Sequence, residues 1–451
     1  MFKRIFIGLS LCMVLAACSP QAAPPTFPSV LASTPTAPAT IEAVSSATAG
    51  PAHPTAAPVA TATSAPVLPE GPPIAHLAAG QPVTITTITM LDANNGWAVG
   101  GVTDMRLGVG DHVLRTSDGG QTWRDVTPPE PAPAEPPGGS AIGFYQDANT
   151  AWVTYSYYAP PSTPGNFVWR TADGGQTWQA SQPLDISGLG DFFGPSDMVF
   201  VDDQTGWMLV HVGAGMNHDY VALYATHDGG QTWETLLDPF TDNFPQGCGK
   251  TGMVFMTPQT GWITGNCNGV AQGLFFQRTD DGGRTWQPVE APPPAGAPAD
   301  LFTRDDRACG TESPAPVSSQ ALLLAVVCRD FDNQVNNYLY SAAGADWQTW
   351  TSTTLPAYDA LGSLELLNAA TGWTIGAQDG DPFSAGPRQL YQTTDGGGTW
   401  TPLKELNWRG QLNFVDEQTG WAVAQSGEAV ALVQTTDGGQ SWKIVQPQIA
   451  P

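Results

Sequence analysis

The sequence predicts an all-β protein: a seven-bladed β-propeller of four-stranded antiparallel blades, preceded by a signal peptide and a disordered linker. Three observations lead to this prediction. A unit of about 55 residues recurs from residue 80 to the end of the 451-residue chain. Gly and Pro occur 50 and 41 times and charged residues make up only 13% of the chain, which favours short strands joined by turns. Most of the 16 Trp residues fall at repeated positions of the unit.

The second half of the unit is an octapeptide, which occurs as TSDGGQTW (116–123), TADGGQTW (171–178), THDGGQTW (226–233), TDDGGRTW (279–286), TTDGGGTW (393–400) and TTDGGQSW (435–442). In such a turn the Asp side chain accepts hydrogen bonds from its own backbone, and Gly supplies the positive φ angles. The six aspartates are therefore predicted to be structural: Asp118, Asp173, Asp228, Asp281, Asp395 and Asp437. A metal site or an acid/base pair would need two of them together, whereas each unit has one.

The first half of the unit is a hairpin that ends in a Gly-Trp strand. Its Trp residues are at positions 97, 152, 207, 262, 373 and 421. The first three intervals are 55 residues each, and the interval of 111 from Trp262 to Trp373 is about twice as long. A degenerate fifth unit is therefore predicted at about 300–355, where ALLLAVVCRD (321–330) replaces the Gly-Trp strand and YLYSAAGADWQTW (338–350) lacks the Asp. We number the seven units I to VII over residues 80–451.

Each unit is predicted to contain strands A to D, which in unit I are residues 84–91, 96–101, 112–116 and 122–126. The A–B and C–D turns then share one face of the ring. The opposite face, called the loop face below, consists of the B–C and D–A loops, where binding sites are usual. Strand D of unit VII (441–447) is complete without an exchange of the chain ends, while an additional strand from residues 73–78 is the alternative way to close the ring.

The first residues predict export. Lys3 and Arg4 precede an apolar stretch that is too short to span a bilayer, and Leu15-Ala16-Ala17-Cys18 follows. This tetrapeptide resembles the lipobox of bacterial lipoproteins, which implies a signal peptide at 1–17, lipidation of Cys18 and membrane attachment through that lipid outside the cytoplasm. An ordinary secretory signal is the alternative. Residues 18–75, rich in Pro, Ala and Thr, are predicted to be a disordered tether.

Four cysteines remain after Cys18 is lipidated and Cys12 is removed with the signal, and they fit an oxidising compartment. Cys248 and Cys267 flank one predicted A–B hairpin, and Cys309 and Cys328 flank the equivalent hairpin of unit V. Because antiparallel strands place such positions opposite each other, the disulfides Cys248–Cys267 and Cys309–Cys328 are predicted. A metal site is the alternative, but the sequence has no CxxC motif.

Composition also bears on partners. The formal net charge of −25 excludes nucleic acid as a partner, because the surface repels phosphate.

We predict no catalytic, cofactor-binding or metal-binding residue. The candidate binding residues are an aromatic group beside a Pro-rich loop of unit II: Tyr155, Tyr157, Tyr158 and Trp169. His211, His218 and Asp219, and the charged run 304–307, are further loop-face clusters. Each group also has a structural interpretation. The aromatic side chains would cover a loop, the histidines would be ordinary surface residues, and the charged run would be a self-paired turn.

The octapeptide resembles the Asp-box, or BNR, repeat of sialidases, xyloglucanase-type glycoside hydrolases, sortilin-type receptors and the photosystem II stability/assembly factor family. The last shares both halves of the unit, D-x-x-x-GW-x-VG and T-x-DGG-x-TW. This resemblance implies a non-catalytic, surface-tethered binding or assembly scaffold with a protein or glycan ligand on the loop face. The alternative is an extracytoplasmic glycoside hydrolase of sialidase or xyloglucanase type. The Phe/Tyr-Arg-Ile-Pro motif of sialidases is absent, and Arg115, Arg170 and Arg278 occupy one repeated position rather than a substrate trio.

Overall fold

The computed structural model describes residues 71–102, 108–132, 139–157, 166–188, 192–215, 218–240, 244, 246–267, 273–318, 321–330, 335–343, 350–356, 364–377 and 386–451. The predicted signal peptide, the lipidation site Cys18 and the tether to residue 70 lie outside these residues. The regular structure that is described consists of β-strands. None of the described residues forms a helix with the length and apolarity needed to cross a bilayer.

The strands follow the predicted repeat. Unit I contains β1 (Thr84–Met90), β2 (Gly96–Gly101), β3 (His112–Thr116) and β4 (Thr122–Asp125). Unit II contains β5 (Ala141–Tyr145), β6 (Ala151–Tyr155), β7 (Trp169–Thr171) and β8 (Gln179–Ala180). Unit III contains β9 (Gly194–Phe200), β10 (Gly206–Gly215), β11 (His218–Thr226) and β12 (Glu234–Leu237). Unit IV contains β13 (Gly249–Phe255), β14 (Gly261–Asn266), β15 (Phe275–Thr279) and β16 (Gln287–Pro288).

The degenerate unit V has one strand more than the others. It contains β17 (Arg307–Thr311), β18 (Ala315–Ser318), β19 (Ala321–Asp330), β20 (Val335–Ala343) and β21 (Trp350–Leu355). Unit VI contains β22 (Leu364–Leu366), β23 (Gly372–Ala377), β24 (Arg388–Thr393) and β25 (Thr401–Leu406). Unit VII contains β26 (Arg409–Phe414), β27 (Gly420–Ser426), β28 (Ala429–Thr435) and β29 (Lys443–Ile444), and β30 (Gln448–Ile449) ends the chain.

Each unit is an antiparallel meander in which strand B lies between A and C. Units II, III, VI and VII are separate four-stranded sheets, and the sheet of unit I has β30 as a fifth strand. The two tight turns of a unit are hydrogen-bonded to each other, since Gly119 N donates to Asn94 O at 2.9 Å and Gly229 N donates to Gln204 O at 2.8 Å. The A–B and C–D turns therefore share one face, as the repeat predicts.

Neighbouring units are joined by the Trp of strand B. These six side chains are completely buried: Trp97, Trp152, Trp207, Trp262, Trp373 and Trp421. The indole of Trp207 lies flat on Phe255 of the next unit, with ring centroids 3.7 Å apart and planes 1° apart. Its Nε1 donates to Gly282 O of that unit at 2.9 Å. The pairs Trp152–Phe200 and Trp373–Phe414 have the same stacking.

The units follow one another in a closed cycle. The described residues form seven hydrophobic clusters, and each lies between two consecutive units. The cluster of Ile85, Met90, Trp421 and Val423 joins the first unit to the last. The first strands of neighbouring units also contact each other, as β5 and β9 do, so these strands lie nearest the axis. A cyclic series of four-stranded sheets is the architecture of a β-propeller.

Unit V is attached to unit IV in a different way from the other units. β17 pairs with β14 of unit IV through Asn266 and Gly310, so the two units share one nine-stranded sheet. The buried Thr311 hydroxyl donates to Gly265 O at 2.9 Å and accepts from Gly265 N. Main-chain pairing thus supplements the contacts of Trp262 at the junction where the next unit lacks the Asp-box aspartate.

The first and last segments of the propeller meet at the seam between units VII and I. Gly80 N donates to Ile449 O and Ile449 N donates to Gln81 O, both at 2.9 Å. β30 also runs parallel to β4, where Ile449 pairs with Trp123. The added strand therefore comes from the C-terminus. Of residues 73–78, the expected additional strand, only Pro73 forms an isolated bridge, to Pro131.

Ile449 tests the importance of this seam, because its side chain is only 4% exposed and packs in the cluster that joins units I and VII. We expect Ile449→Ala to lower the free energy of unfolding by about 2–4 kcal/mol, the usual effect of truncating a buried Ile. Ile444→Ala is the control, since Ile444 is 72% exposed, and we expect a change within about 0.5 kcal/mol. Thermal melts followed by circular dichroism measure both variants, and equal melting temperatures would contradict the role of the seam.

Candidate functional site

The Asp-box aspartates are engaged inside their own turns. Asp173 Oδ1 accepts from Thr171 Oγ1, Gln176 N and Thr177 N at 2.9 Å, and its Oδ2 accepts from Thr177 Oγ1 at 2.6 Å. Asp118, Asp228, Asp281, Asp395 and Asp437 accept from the equivalent threonines, or from Ser441, in their own turns. The two glycines after each Asp have φ between 71° and 99°. This geometry braces the turn and leaves these carboxylates no shared site.

The hydrogen bonds of the turn shift the acidity of these residues. The Thr177 hydroxyl and N–H lower the pKa of Asp173 to about 2, and Ser441 lowers the pKa of Asp437 to about 2 in the same way. Burial alone would raise the pKa of Asp118, but its threonine contacts lower it. The ionised form is therefore the one that the turn requires.

Three arginines stack on the buried Trp residues of their own units. Arg115 lies over Trp97 at 5.4 Å from the ring centroid, and Arg170 lies over Trp152 at 5.3 Å. Arg278 lies over Trp262 at 5.5 Å. These guanidinium groups occupy a repeated packing position, in agreement with their spacing in the sequence, and each one lies in a different unit.

Both disulfides that the sequence predicts are present. Cys248 is bonded to Cys267, and Cys309 is bonded to Cys328. Cys309 and Cys328 are direct partners in the register of β17 and β19. The two bridges lie in units IV and V, which share one sheet. Disulfides are typical of proteins outside the reducing cytoplasm.

The aromatic group of unit II is mostly interior. Tyr155 and Trp169 are 2% and 1% exposed. Trp169 Nε1 donates to Glu130 Oε2 at 2.5 Å, and the Tyr157 hydroxyl donates to the other carboxylate oxygen. Burial raises the pKa of Glu130, although both hydrogen bonds oppose the shift. Tyr155 and Trp169 thus lack an open ring face, and Tyr158 lies outside the described residues.

A second loop-face group is a compact cluster of charged side chains, the unit III–IV cluster: Asp197, His211, Asp219 and Lys250. His211 Nδ1 lies 2.7 Å from Asp219 Oδ1, and Asp219 Oδ2 accepts from Lys250 N at 2.7 Å. Lys250 Nζ donates to Gly247 O at 2.9 Å and lies 4.6 Å from the ring centroid of Phe275. His211, Asp219 and Lys250 lie on β10, β11 and β13, and Asp197 lies in the middle of β9.

The members of the unit III–IV cluster differ in acidity. Burial raises the pKa of Asp197, opposed by hydrogen bonds from Ser196 and from the N–H of Met253. Burial would also raise the pKa of Asp219, but the contact with His211 and the N–H of Lys250 lower it. Burial lowers the pKa of Lys250 to about 8. The surroundings of His211 thus raise the pKa of one nearby carboxyl group, Asp197, and lower that of another, Asp219.

Acidic and amide side chains of the inner strands accept hydrogen bonds from backbone N–H groups of the next unit. Asp197 Oδ1 accepts from Met253 N at 3.4 Å, Glu365 Oε1 accepts from Phe414 N at 3.3 Å, and Asn413 Oδ1 accepts from Met90 N at 2.5 Å. Burial raises the pKa of Glu365 to about 7. These contacts satisfy donors on the free edges of the innermost strands.

The sequence alone does not single out several of these residues. Asp197, Lys250 and Glu130 occur outside the repeated motifs, so the repeat gives no signal for them. In the other loop-face group, the charged run 304–307, Arg304 pairs with Asp306, as expected for a self-paired turn. No three His, Cys, Asp or Glu side chains in the described part are placed to hold a metal ion.

Comparisons with known proteins return carbohydrate-active enzymes. No protein-family model matches the chain. A xyloglucanase of a Paenibacillus species is 23% identical over 315 residues, which cover 62% of this chain and 29% of that protein. The chain therefore spans less than a third of the length of this relative.

Two solved structures are also similar. A PL25 ulvan lyase is 14% identical with a TM-score of 0.42, and the alignment covers 79% of this chain and 86% of the lyase. A GH93 α-L-arabinofuranosidase of Fusarium graminearum is 13% identical with a TM-score of 0.37, and the alignment covers 65% and 91% of the two chains.

The Asp-box turns predict a specific acid response. Because the folded-state pKa of Asp173 lies below its unfolded value, the unfolded chain binds more protons in acid, and stability falls as the pH drops from about 4 to about 2. We expect Asp173→Asn to melt at a lower temperature at pH 7 and to show a smaller further loss between pH 4 and pH 2. The exposed Asp203→Asn in the A–B turn is the control. Equal pH slopes for Asp173→Asn and wild type would contradict the bracing role.

Proposed function

We propose that this chain is an extracytoplasmic, seven-bladed β-propeller that acts on glycans as a glycoside hydrolase, with the unit III–IV cluster as its catalytic centre. The observation that supports this most directly is the opposite pKa shift of Asp197 and Asp219 beside a shared His211. Glycosidases need one carboxylic acid that protonates the leaving oxygen and one carboxylate that acts as base or nucleophile. Two carboxyl groups with environments that separate their pKa values are the expected arrangement.

In this proposal Asp197 is the acid and the ionised Asp219, held by His211, is its partner. Burial raises the pKa of Asp197, whereas the contacts of Asp219 with His211 and Lys250 N favour its charge. In hydrolysis the water oxygen bonds to the anomeric carbon while Asp219 takes a proton from that water, and the glycosidic C–O bond breaks as the proton of Asp197 passes to the leaving oxygen. The sequence similarity to a xyloglucanase is a further support for a glycan as substrate.

A second candidate function is a non-catalytic binding or assembly scaffold, of the kind that the photosystem II stability/assembly factor resemblance implies. One observation favours it: both oxygens of Asp219 already accept hydrogen bonds, from His211 and from Lys250 N. A carboxylate with both oxygens engaged in this way has a structural role unless a ligand displaces one of its hydrogen-bond partners. An assay of hydrolysis therefore distinguishes the two candidate functions better than a binding assay does.

The experiment incubates the full-length chain with xyloglucan, mixed-linkage β-glucan, arabinan and ulvan, and measures the release of reducing ends. We expect hydrolysis of at least one neutral polysaccharide, with activity lost as the pH rises through the raised pKa of Asp197. Asp197→Asn should lower kcat by about 100-fold or more, the usual contribution of a general acid. Asp203→Asn, a carboxylate on the face with the Asp-box turns, should leave kcat unchanged.

Two outcomes would contradict the proposal. Binding of a glycan without release of reducing ends, across the whole panel, would favour the scaffold. Full activity of Asp197→Asn would exclude Asp197 as the acid and leave the catalytic centre elsewhere on the loop face.

We also propose that the chain is exported and anchored to a membrane through a lipid on Cys18. The two disulfides support an oxidising compartment, and the tetrapeptide ending at Cys18 supports the anchor. Cells fed an alkyne-labelled fatty acid should label the wild-type chain, whereas Cys18→Ser should lose the label and leave the membrane fraction. Retention of the label in Cys18→Ser would place the lipid on another residue.

A further inference from the structure

One aromatic side chain stands out on the described surface. Phe240 is 55% exposed, and the other large hydrophobic residues that are comparably exposed there are aliphatic: Val102, Val109 and Ile444. The Phe240 ring lies 5.4 Å from the ring of Tyr220, with the planes 32° apart. Tyr220 in turn stacks on His218 at 5.8 Å and 17°. The three rings form a row, which we call the aromatic row.

The backbone fixes the position of this row. His218 and Tyr220 are two residues apart on β11, so their side chains leave the same face of the strand. Tyr220 packs against the hydrophobic cluster between units II and III, which holds its ring. Asp238 Oδ1 accepts from Phe240 N at 2.8 Å and so sets the turn that carries Phe240.

The row adjoins the unit III–IV cluster. Asp219 lies between His218 and Tyr220 in the chain and leaves the opposite face of β11, where it meets His211 at 2.7 Å. The loop-face end of one strand therefore presents rings on one side and the carboxylate–imidazole pair on the other. A ligand that crosses the tip of β11 contacts both.

We propose that the aromatic row of His218, Tyr220 and Phe240 is a sugar-binding subsite that stacks against a neutral hexopyranose unit of a glycan chain. The proposal rests on the function proposed above and names a subsite for it. The face of an aromatic ring is electronegative and apolar, and the axial C–H bonds on one face of a pyranose are its complement. A singly exposed ring is common on protein surfaces, but a contiguous group of rings such as this one is typical of a binding surface.

The charge of the protein selects among glycans. With 41 acidic and 16 basic residues, the chain has a formal net charge of −25, so uronate and sulfated chains are repelled. Asp238 and Asp219 add negative charge beside the row. A neutral backbone sugar, rather than an anionic one, is therefore the unit that this subsite accepts.

The test measures binding of the full-length chain to cellohexaose, a xyloglucan oligosaccharide and an oligogalacturonate by isothermal titration calorimetry. We expect the neutral probes to bind and the anionic one to bind at least tenfold more weakly. Phe240→Ala should raise the Kd for the neutral probes by roughly fivefold to tenfold, the effect of losing one aromatic stacking contact. Phe240→Trp should retain binding, and Ile444→Ala, an exposed apolar residue of unit VII, should leave the Kd unchanged.

The outcomes separate the subsite from the proposed function. Neutral probes that bind Phe240→Ala and wild type equally would overturn the aromatic row while leaving glycan action in place. Wild type that binds no neutral probe would overturn both. Tighter binding of the oligogalacturonate would overturn the choice of a neutral sugar.

Discussion

Four joints of the ring depend on the first glycine of the Asp-box turn, whose carbonyl accepts from a Trp indole of the preceding unit. At Gly229 the N–H donates to Gln204 O of its own hairpin, and the carbonyl accepts from the indole of Trp152 in the preceding unit. Its φ of 74° belongs to the left-handed region, and a Cβ there would lie 2.8 Å from Asp203 O. Only glycine meets both demands. The neighbouring aspartate holds this glycine in place, so turn chemistry and the contact between units form one mechanism.

Local repetition explains which parts of the fold the sequence predicts well. The strands of unit I agree with the predicted bounds within a residue, and Cys309 and Cys328 pair as their spacing requires. The seam between Gly80 and Ile449 was not predictable in the same way, because its partners are far apart in the chain and belong to no motif. The strand pairing between Asn266 and Gly310 was not predictable either, because these two residues also belong to no motif.

The loop face was harder to predict than the ring. Tyr155 and Trp169 suggest a binding surface in the sequence, but Glu130, from a loop without a repeated pattern, draws the indole of Trp169 inward. Because side chains alternate along a strand, the sequence does place His218 and Tyr220 on the opposite face of β11 from Asp219. The contact of Phe240 with Tyr220, in contrast, depends on tertiary packing. Burial acts to raise the pKa of both Asp197 and Asp219, and the contacts of Asp219 with His211 and Lys250 N, not residue type, separate their acidity.

The shared sheet of units IV and V has a consequence for how this sequence varies. At the four joints with an indole-to-glycine hydrogen bond, the units must keep that glycine and that tryptophan, because they are bound through them. At this junction backbone pairing and the Thr311 hydroxyl supply the attachment, and neither requires the repeated motif in the fifth unit. Assembly therefore places fewer demands on the sequence of the fifth unit, which is where we expect a duplicated segment to be freest to diverge and acquire a new surface.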